Sequence, residues 1–452
     1  MCLTQLNDDV LSNICSFLTT RRSLLNLALT CRAFCTLIIP AFLYARLESE
    51  NPYIGTSAAE RLGPFFDAIR QHESVARAIR HLEIPSCANV GRLLRDDLPI
   101  MRNIRALHIY TLPPRTLLTR ISMMTHLQSL TIKFDSGELL ELLRGRRFRR
   151  LELFMRCGYN LTPDSALGEI LLCSRVTLHE LKLFGITWCF RTPSISRDGK
   201  DPIWPHVTRL GLWCVGSGGH PLNLTYHFPS VVCFDTFVKL EILDQSYNRS
   251  FFSGIRSLKG NSADLKLVAS HGAKLRRVHI DVENGINTES VHDSLLHSTL
   301  QSLTLLVGRK FPFRCFEQLS VLCPKVEFLS LHVESSSSLS PLLNSILHHL
   351  SALPLGCLYI GCGYVGESDA HLASNDHDRE VTMLASLAPK ILPSLRFISL
   401  TSFRSQTHMR RLISARGVAD EFTKISSEDG FDSLHYYEWR WMDQAEHAIE
   451  PS

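Results

Sequence analysis

No stretch of this chain approaches the ~20 consecutive apolar residues that a membrane-crossing helix needs, so no span and no membrane partner are expected. Charge of one sign is lacking as well: 48 Lys and Arg stand against 44 Asp and Glu, a net charge of +4. That balance excludes the strongly basic surface of a nucleic-acid binder and the composition of an acidic tail. The opening residues hold Asp8 and Asp9 but no basic cluster, so no secretory leader is expected. The 14 cysteines are scattered, and Cys15, Cys31 and Cys323 sit inside apolar patterns, as reduced thiols used as small fillers do. The expected location is cytoplasmic, nuclear or both. Without secretion, the glycosylation patterns at Asn160, Asn223 and Asn248 carry no meaning.

Catalytic signatures are missing too. The 20 histidines form no Ser/His/Asp or Cys/His grouping that a motif supports. Glycines 361, 363 and 366 match the dinucleotide fingerprint after a plausible strand, but the residues that follow, 367–376, are polar rather than the start of a helix. They read as an insertion between repeated units. Cys357, Cys362, His371 and His377 have spacing too loose for a zinc site. No catalytic residue, cofactor or metal is expected, and the chain reads as a binding protein rather than an enzyme.

What is present begins with a helical hairpin. Asn7 can cap a helix whose first turn carries Asp8 and Asp9, where negative charge suits the dipole. Val10, Leu11, Ile14, Phe17 and Leu18 form its apolar stripe. Ser23 can cap a second helix with Leu24, Leu27, Ala28 and Cys31, and Phe34 and Leu37 carry a third that Pro40 ends. Helices this short cannot bury all their apolar surface on one another, so part of it should meet another protein or the following domain.

Residues 5–45 resemble an F-box. Leu6-Asn7-Asp8-Asp9-Val10-Leu11, then Ile14, Phe17-Leu18 and Cys31-Arg32-x-Phe34, follow the family pattern, with Asn7 where the family has proline. The resemblance implies docking on a Skp-type adaptor, and through it on a cullin ubiquitin ligase, by way of Leu6, Val10, Leu11, Ile14, Leu18, Cys31 and Arg32.

From about residue 75 a triplet recurs: apolar, two variable, apolar, one variable, apolar. It runs through Ile79/Leu82/Ile84, Ile104/Leu107/Ile109, Leu127/Leu130/Ile132, Phe148/Leu151/Leu153, Leu178/Leu181/Leu183 and Val207/Leu210/Leu212. It continues at Phe237/Leu240/Ile242, Leu275/Val278/Ile280, Leu300/Leu303/Leu305, Val326/Leu329/Leu331, Leu355/Leu358/Ile360 and Leu395/Ile398/Leu400. The alternation predicts short strands with one face inward. Helical patterns lie between them, as over 166–172, 291–296 and 342–350. Parallel strands joined by crossovers share a continuous core by stacking. A doubly wound α/β domain would alternate in the same way, but the uniform triplet and short period favour a solenoid. This part resembles the leucine-rich-repeat family in degenerate form, since the family's asparagine positions read Cys87, Leu112, Asp135, Arg156 and Ile186. The combination resembles fungal-type F-box proteins with divergent leucine-rich repeats.

The fold class expected is therefore α/β: a three-helix F-box over 1–45, a partly helical linker over 46–75, an irregular leucine-rich-repeat solenoid over 76–441 and a tail over 442–452. On its variable face, Tyr110, Lys133, Phe154, Phe184, Trp213 and Leu243 form a row. Phe154, Phe184 and Trp213, with Arg150 beside them, are the substrate-binding candidates; residues 190–205 could instead fold over the rings. The flanking positions are charged at Arg150, Glu152, Glu180, Lys182, Lys239, Glu241, Arg277 and His279. They are neutral or apolar from Ser302 through Phe328 and Cys357 to Phe397. The arginine-rich run 144–150 reads as a solvated turn, with an acidic degron clasp as the alternative. Residues 214–228 and 244–262 read as rim loops, and 436–441 as a last strand or an aromatic cap.

The function this implies is a substrate receptor of a cullin ubiquitin ligase. A repeat scaffold whose hairpin is only a cap, and a nucleotide-binding α/β enzyme using 361–366, are the alternatives.

Overall fold

A computed structural model gives the structure of the chain. It describes residues 10–11, 15, 21–38, 46–47, 66–67, 69–84, 98, 100–110, 112–134, 137–190, 201–213, 216–217, 222–237, 243, 245–282, 299–307, 315–334, 340–363, 373–401, 406–412 and 421–446. The chain is mixed α/β and forms two compact units, Met1–Val231 with Phe237–Phe251, and Val232–Thr236 with Phe252–Ser452.

The first unit opens with the hairpin. Val10, Leu11 and Cys15 are helical, followed by α1 (Arg21–Ala28) and α2 (Arg32–Ile38). Leu11, Cys15, Leu24, Ala28, Phe34 and Ile38 close on one small core, with Leu27 and Cys31 packed against it. Two expectations shift. Ser23 lies inside α1 rather than capping it, because the helix starts at Arg21. Cys31 lies beyond α1, and its carbonyl accepts the first α2 hydrogen bond, from Cys35 at 3.0 Å.

Then follow β1 (Arg46–Leu47), α3 (Glu73–Ala78), β2 (His81–Ile84), β3 (Ala106–Ile109), α4 (Arg115–Ser122), β4 (Ser129–Phe134), β5 (Arg150–Leu161), α5 (Ala166–Cys173), β6 (Glu180–Trp188), β7 (Arg209–Trp213), β8 (Gly216–Ser217) and α6 (Leu224–His227). Strands β1 to β7 pair in chain order, all parallel, and β8 pairs with the end of β6. Because Arg46 and Leu47 pair with His81 and Leu82, the segment read as a linker opens on a strand, although 69–71 and α3 within and beside it are helical.

The second unit holds β9 (Cys233–Phe237) as far as Thr236; α7 (Arg249–Gly254) spans the division of the chain. It continues with β10 (Ser257–Asn261), α8 (Ser262–Ser270), β11 (Arg277–Val282), β12 (Ser302–Val307), α9 (Cys315–Leu322), β13 (Phe328–Glu334), α10 (Ser340–His349), β14 (Cys357–Gly363), α11 (Ala373–Ile391), β15 (Phe397–Thr401), β16 (Gln406–Leu412), β17 (Glu421–Ile425) and α12 (Ser427–Glu446). Strands β9 to β15 are parallel and in chain order; β16 and β17 add antiparallel.

Every residue of eleven triplets is buried, and partners align in register across each strand pair, as Leu153 with Leu183 and Leu305 with Leu331. Each step repeats one hydrogen-bond device. A single carbonyl, that of the residue just before the strand, accepts two successive N–H groups from the next unit. Arg105 O takes Gln128 N (2.7 Å) and Ser129 N (2.9 Å), and Gln301 O takes Glu327 N (2.9 Å) and Phe328 N (3.1 Å).

The triplet assigned to Phe237, Leu240 and Ile242 is a correction. The strand there is β9, so the buried positions are Val231, Phe234 and Thr236; 238–242 lie outside the described residues. The supposed rim loop 244–262 holds a further unit, Ile255/Leu258/Gly260 on β10, which pairs with β9 and β11. Within 214–228, β8 and α6 replace an open loop. The predicted helices at 166–172 and 342–350 are α5 and α10; that at 291–296 lies outside the described residues. The segment 436–441 is helix, not strand. Tyr437, Trp439 and Trp441 alternate as strand residues would, but Leu434, Tyr437, Glu438 and Trp441 recur at helical spacing, and these are the positions the helix uses.

Candidate functional site

In the hairpin, Leu11 is buried and supports the core from within, while Val10 (43% exposed) and Arg32 face outward and Cys31 is half-buried. Leu6, Ile14 and Leu18 lie outside the described residues. The sequence reading missed Leu25 on α1 and Leu29 in the turn just after it, four residues apart and 43% and 73% exposed. Their i, i+4 spacing, offset from the buried Leu24 and Ala28, was the available signal.

The strand face opposite the buried triplets forms the second surface. In the first unit, Lys133, Phe154, Phe184 and Trp213 stand in register on β4 to β7. Phe154 and Phe184 stack at 4.0 Å, and Trp213 meets Phe184 edge-on at 4.4 Å. Lys133 Nζ lies 5.8 Å from the Phe154 ring. The rings are half-buried by one another. Residues 201–204 of the segment thought able to cover them go elsewhere: buried Trp204 stacks on Phe228 and meets Trp188. Leu243 is buried and leaves the row. Beside the rings, Arg150 reaches Glu180 at 3.8 Å, and Lys182 lies 3.4 Å from Glu180 and 3.9 Å from Glu152. These charges offset one another, so the distinctive chemistry of this face is the aromatic strip. Further along, His108 stacks on His81 at 4.8 Å. Burial, with His81 beside it, lowers the His108 pKa from 6.5 to about 4, so that ring is uncharged at neutral pH.

In the second unit α12 covers the corresponding face, as the aromatic-cap reading of 436–441 has it. Phe328, Cys357 and Phe397 are buried beneath Ile425, Leu434 and Tyr437.

The arginine run is partly structural. Arg144 pairs with Glu141 (2.7 Å) and Glu169 (2.5 Å), and the Arg146 guanidinium donates to the carbonyls of Ser122 and Met124. Of the zinc candidates, Cys357 lies under α12 and His377 Nε2 is 3.0 Å from Thr407 Oγ1. The Cys362 side chain, His371 and residues 364–366 lie outside the described residues. Among the described residues no group of three metal-ligating side chains forms, and no described helix is long and apolar enough to cross a membrane.

The short helical hairpin leaves Leu25 and Leu29 outside its own core. Residues 5–49 match the F-box-like family model, so the chain carries an F-box-like domain there. No curated protein matches the chain.

Proposed function

We propose that this chain is the substrate-recognition subunit of an SCF-type cullin ubiquitin ligase. The F-box-like domain at 5–49 carries this reading, supported by a hairpin that keeps Val10, Leu25 and Leu29 outside its own core. These residues and Arg32 dock a Skp-type adaptor, which links to the cullin. The strand units form a divergent leucine-rich-repeat solenoid. Its uniform register and the shared-carbonyl step support that assignment. The row Phe154, Phe184 and Trp213, flanked by Arg150, engages a protein substrate, since clustered aromatics are the side chains that most often anchor partners. No bond is made or broken by the receptor; it raises the effective concentration of substrate near the ubiquitin-loaded enzyme. Such a receptor works in the cytoplasm or nucleus.

Co-expression with a Skp-type adaptor tests the reading. The wild type co-purifies with the adaptor, and the Leu25→Asp/Leu29→Asp double variant does not. Both positions are exposed, so the change spares the hairpin core that a charge at Leu11 would break. A folded wild type that fails to hold the adaptor would leave the hairpin as a cap on an interaction scaffold.

A further inference from the structure

The face of the second unit is filled by the chain's own helix, and the way it is filled defines a ligand. Leu434, Tyr437, Glu438 and Trp441 recur at i, i+3, i+4 and i+7, the anchor spacing of a helix laid in a groove. Leu434 and Tyr437 pack on Phe328, Cys357 and Phe397, neighbours in register on β13, β14 and β15. Glu438 Oε1 accepts from both Nε (2.9 Å) and Nη2 of Arg277, which also donates to Ser257 Oγ at 3.1 Å and lies 4.3 Å from the Trp439 ring. Arg440 pairs with Glu327. Arg277 is only 6% exposed beneath α12, and a guanidinium covered to that degree demands a carboxylate. Any helix on this face must bring one.

The seat is imperfect for α12. Ser302 lies between Arg277 and Phe328 in register, and among the described residues its buried hydroxyl finds no hydrogen-bond partner; nor does the indole N–H of Trp441. Burying unpaired polar groups weakens the hold. The helix is also capped within itself: Ser426 Oγ accepts from Asp429 N (3.1 Å) and donates to the Asp429 carboxylate (2.7 Å). It does not depend on the strands for its first turn, so it can leave as a formed helix.

We propose that the strand face of the second unit is a binding site for an amphipathic helix of a partner protein. The partner helix carries a carboxylate flanked by aromatic and aliphatic anchors at the spacing of α12, and α12 occupies the site until displaced. The proposal is independent of the ligase reading. Because α12 is tethered at high effective concentration, a free helix binds only in proportion to the open fraction.

A fluorescein-labelled peptide of residues 427–446, titrated with the full chain and followed by anisotropy, is the test. The Glu438→Arg chain, whose own helix is repelled by Arg277, binds the peptide about tenfold more tightly than the wild-type chain does. The Arg277→Glu chain rejects that peptide but binds one carrying Glu438→Arg, a reversal that a misfolded variant could not give. In the unaltered chain, α12 amides exchange with deuterium faster than those of β13. Equal peptide affinity across the three chains, or α12 exchange as slow as that of β13, would overturn the proposal.

Discussion

His227 is fully buried, and its Nδ1 lies 2.7 Å from the Pro202 carbonyl, so the ring is neutral and donates from Nδ1. Burial lowers its pKa from 6.5 to about 4, against the opposing pull of that hydrogen bond. A folded value below the unfolded one makes the contribution complete above pH 6.5 and lost as pH falls through 4, up to about 3 kcal/mol. His227→Asn, which keeps a donor but cannot titrate, should flatten the loss of stability over that window in urea titrations. Asp264 has the opposite sign. One carboxylate oxygen accepts from Asn261 N at 2.9 Å and the other has no partner among the described residues, and burial raises the pKa to about 6. Its proton favours the fold below that value, and its charge works against the fold above it. Asp264→Asn should therefore raise stability at pH 7.5 by about 1–2 kcal/mol. The gain should fade as pH drops from 6 towards 3.8, which thermal midpoints at several pH values would show.

At the scale of elements, the aromatic row depends on a kink. Gly185 follows Phe184 with φ +68°, where β5 and β6 shift register between Phe154 and Tyr159. A Cβ at Gly185 would sit 2.3 Å from the Met155 carbonyl oxygen. Gly185→Ala should cost about 2–3 kcal/mol through strain and forced separation and should change Trp213 fluorescence as the ring stack opens. Most strands were legible because each needs two inward apolar residues and an apolar one before them. The unit on β10 was not, because its third inward position is Gly260. A Cβ there would approach Asp264 Oδ2 to 2.6 Å, the very carboxylate that closes the α8 capping box. Local capping chemistry replaced the apolar residue that the pattern looks for. The neighbouring Phe237, Leu240 and Ile242 then matched the triplet better than Val231, Phe234 and Thr236 did, and drew the strand six residues too far along. For α12 the dense aromatics concealed the helical spacing that Leu434, Tyr437 and Trp441 share.

At the scale of the whole molecule, the receptor reading separates two functions that point variants can uncouple. Phe184→Ala/Trp213→Ala leaves the hairpin untouched. It should therefore retain the adaptor while depleting the proteins that co-purify with the wild type, compared by quantitative mass spectrometry of adaptor pull-downs. Loss of the adaptor as well would show that the double change had damaged the fold instead.

The shared carbonyl in each step carries a consequence for how such a chain can vary. From Arg256 to Arg276 the step takes 20 residues, and from Gly356 to Arg396 it takes 40, yet in both the same pair of N–H groups closes on one oxygen. Spacing between strands is fixed by that contact and not by the length of chain that connects them. Insertions and deletions can accumulate in the connections without dislocating the strands, at an entropic cost that grows only slowly with length. Homologous chains of this architecture should differ in length far more than in the number of steps. Comparison by fixed repeat length will then miss relatives that a comparison of successive steps would align.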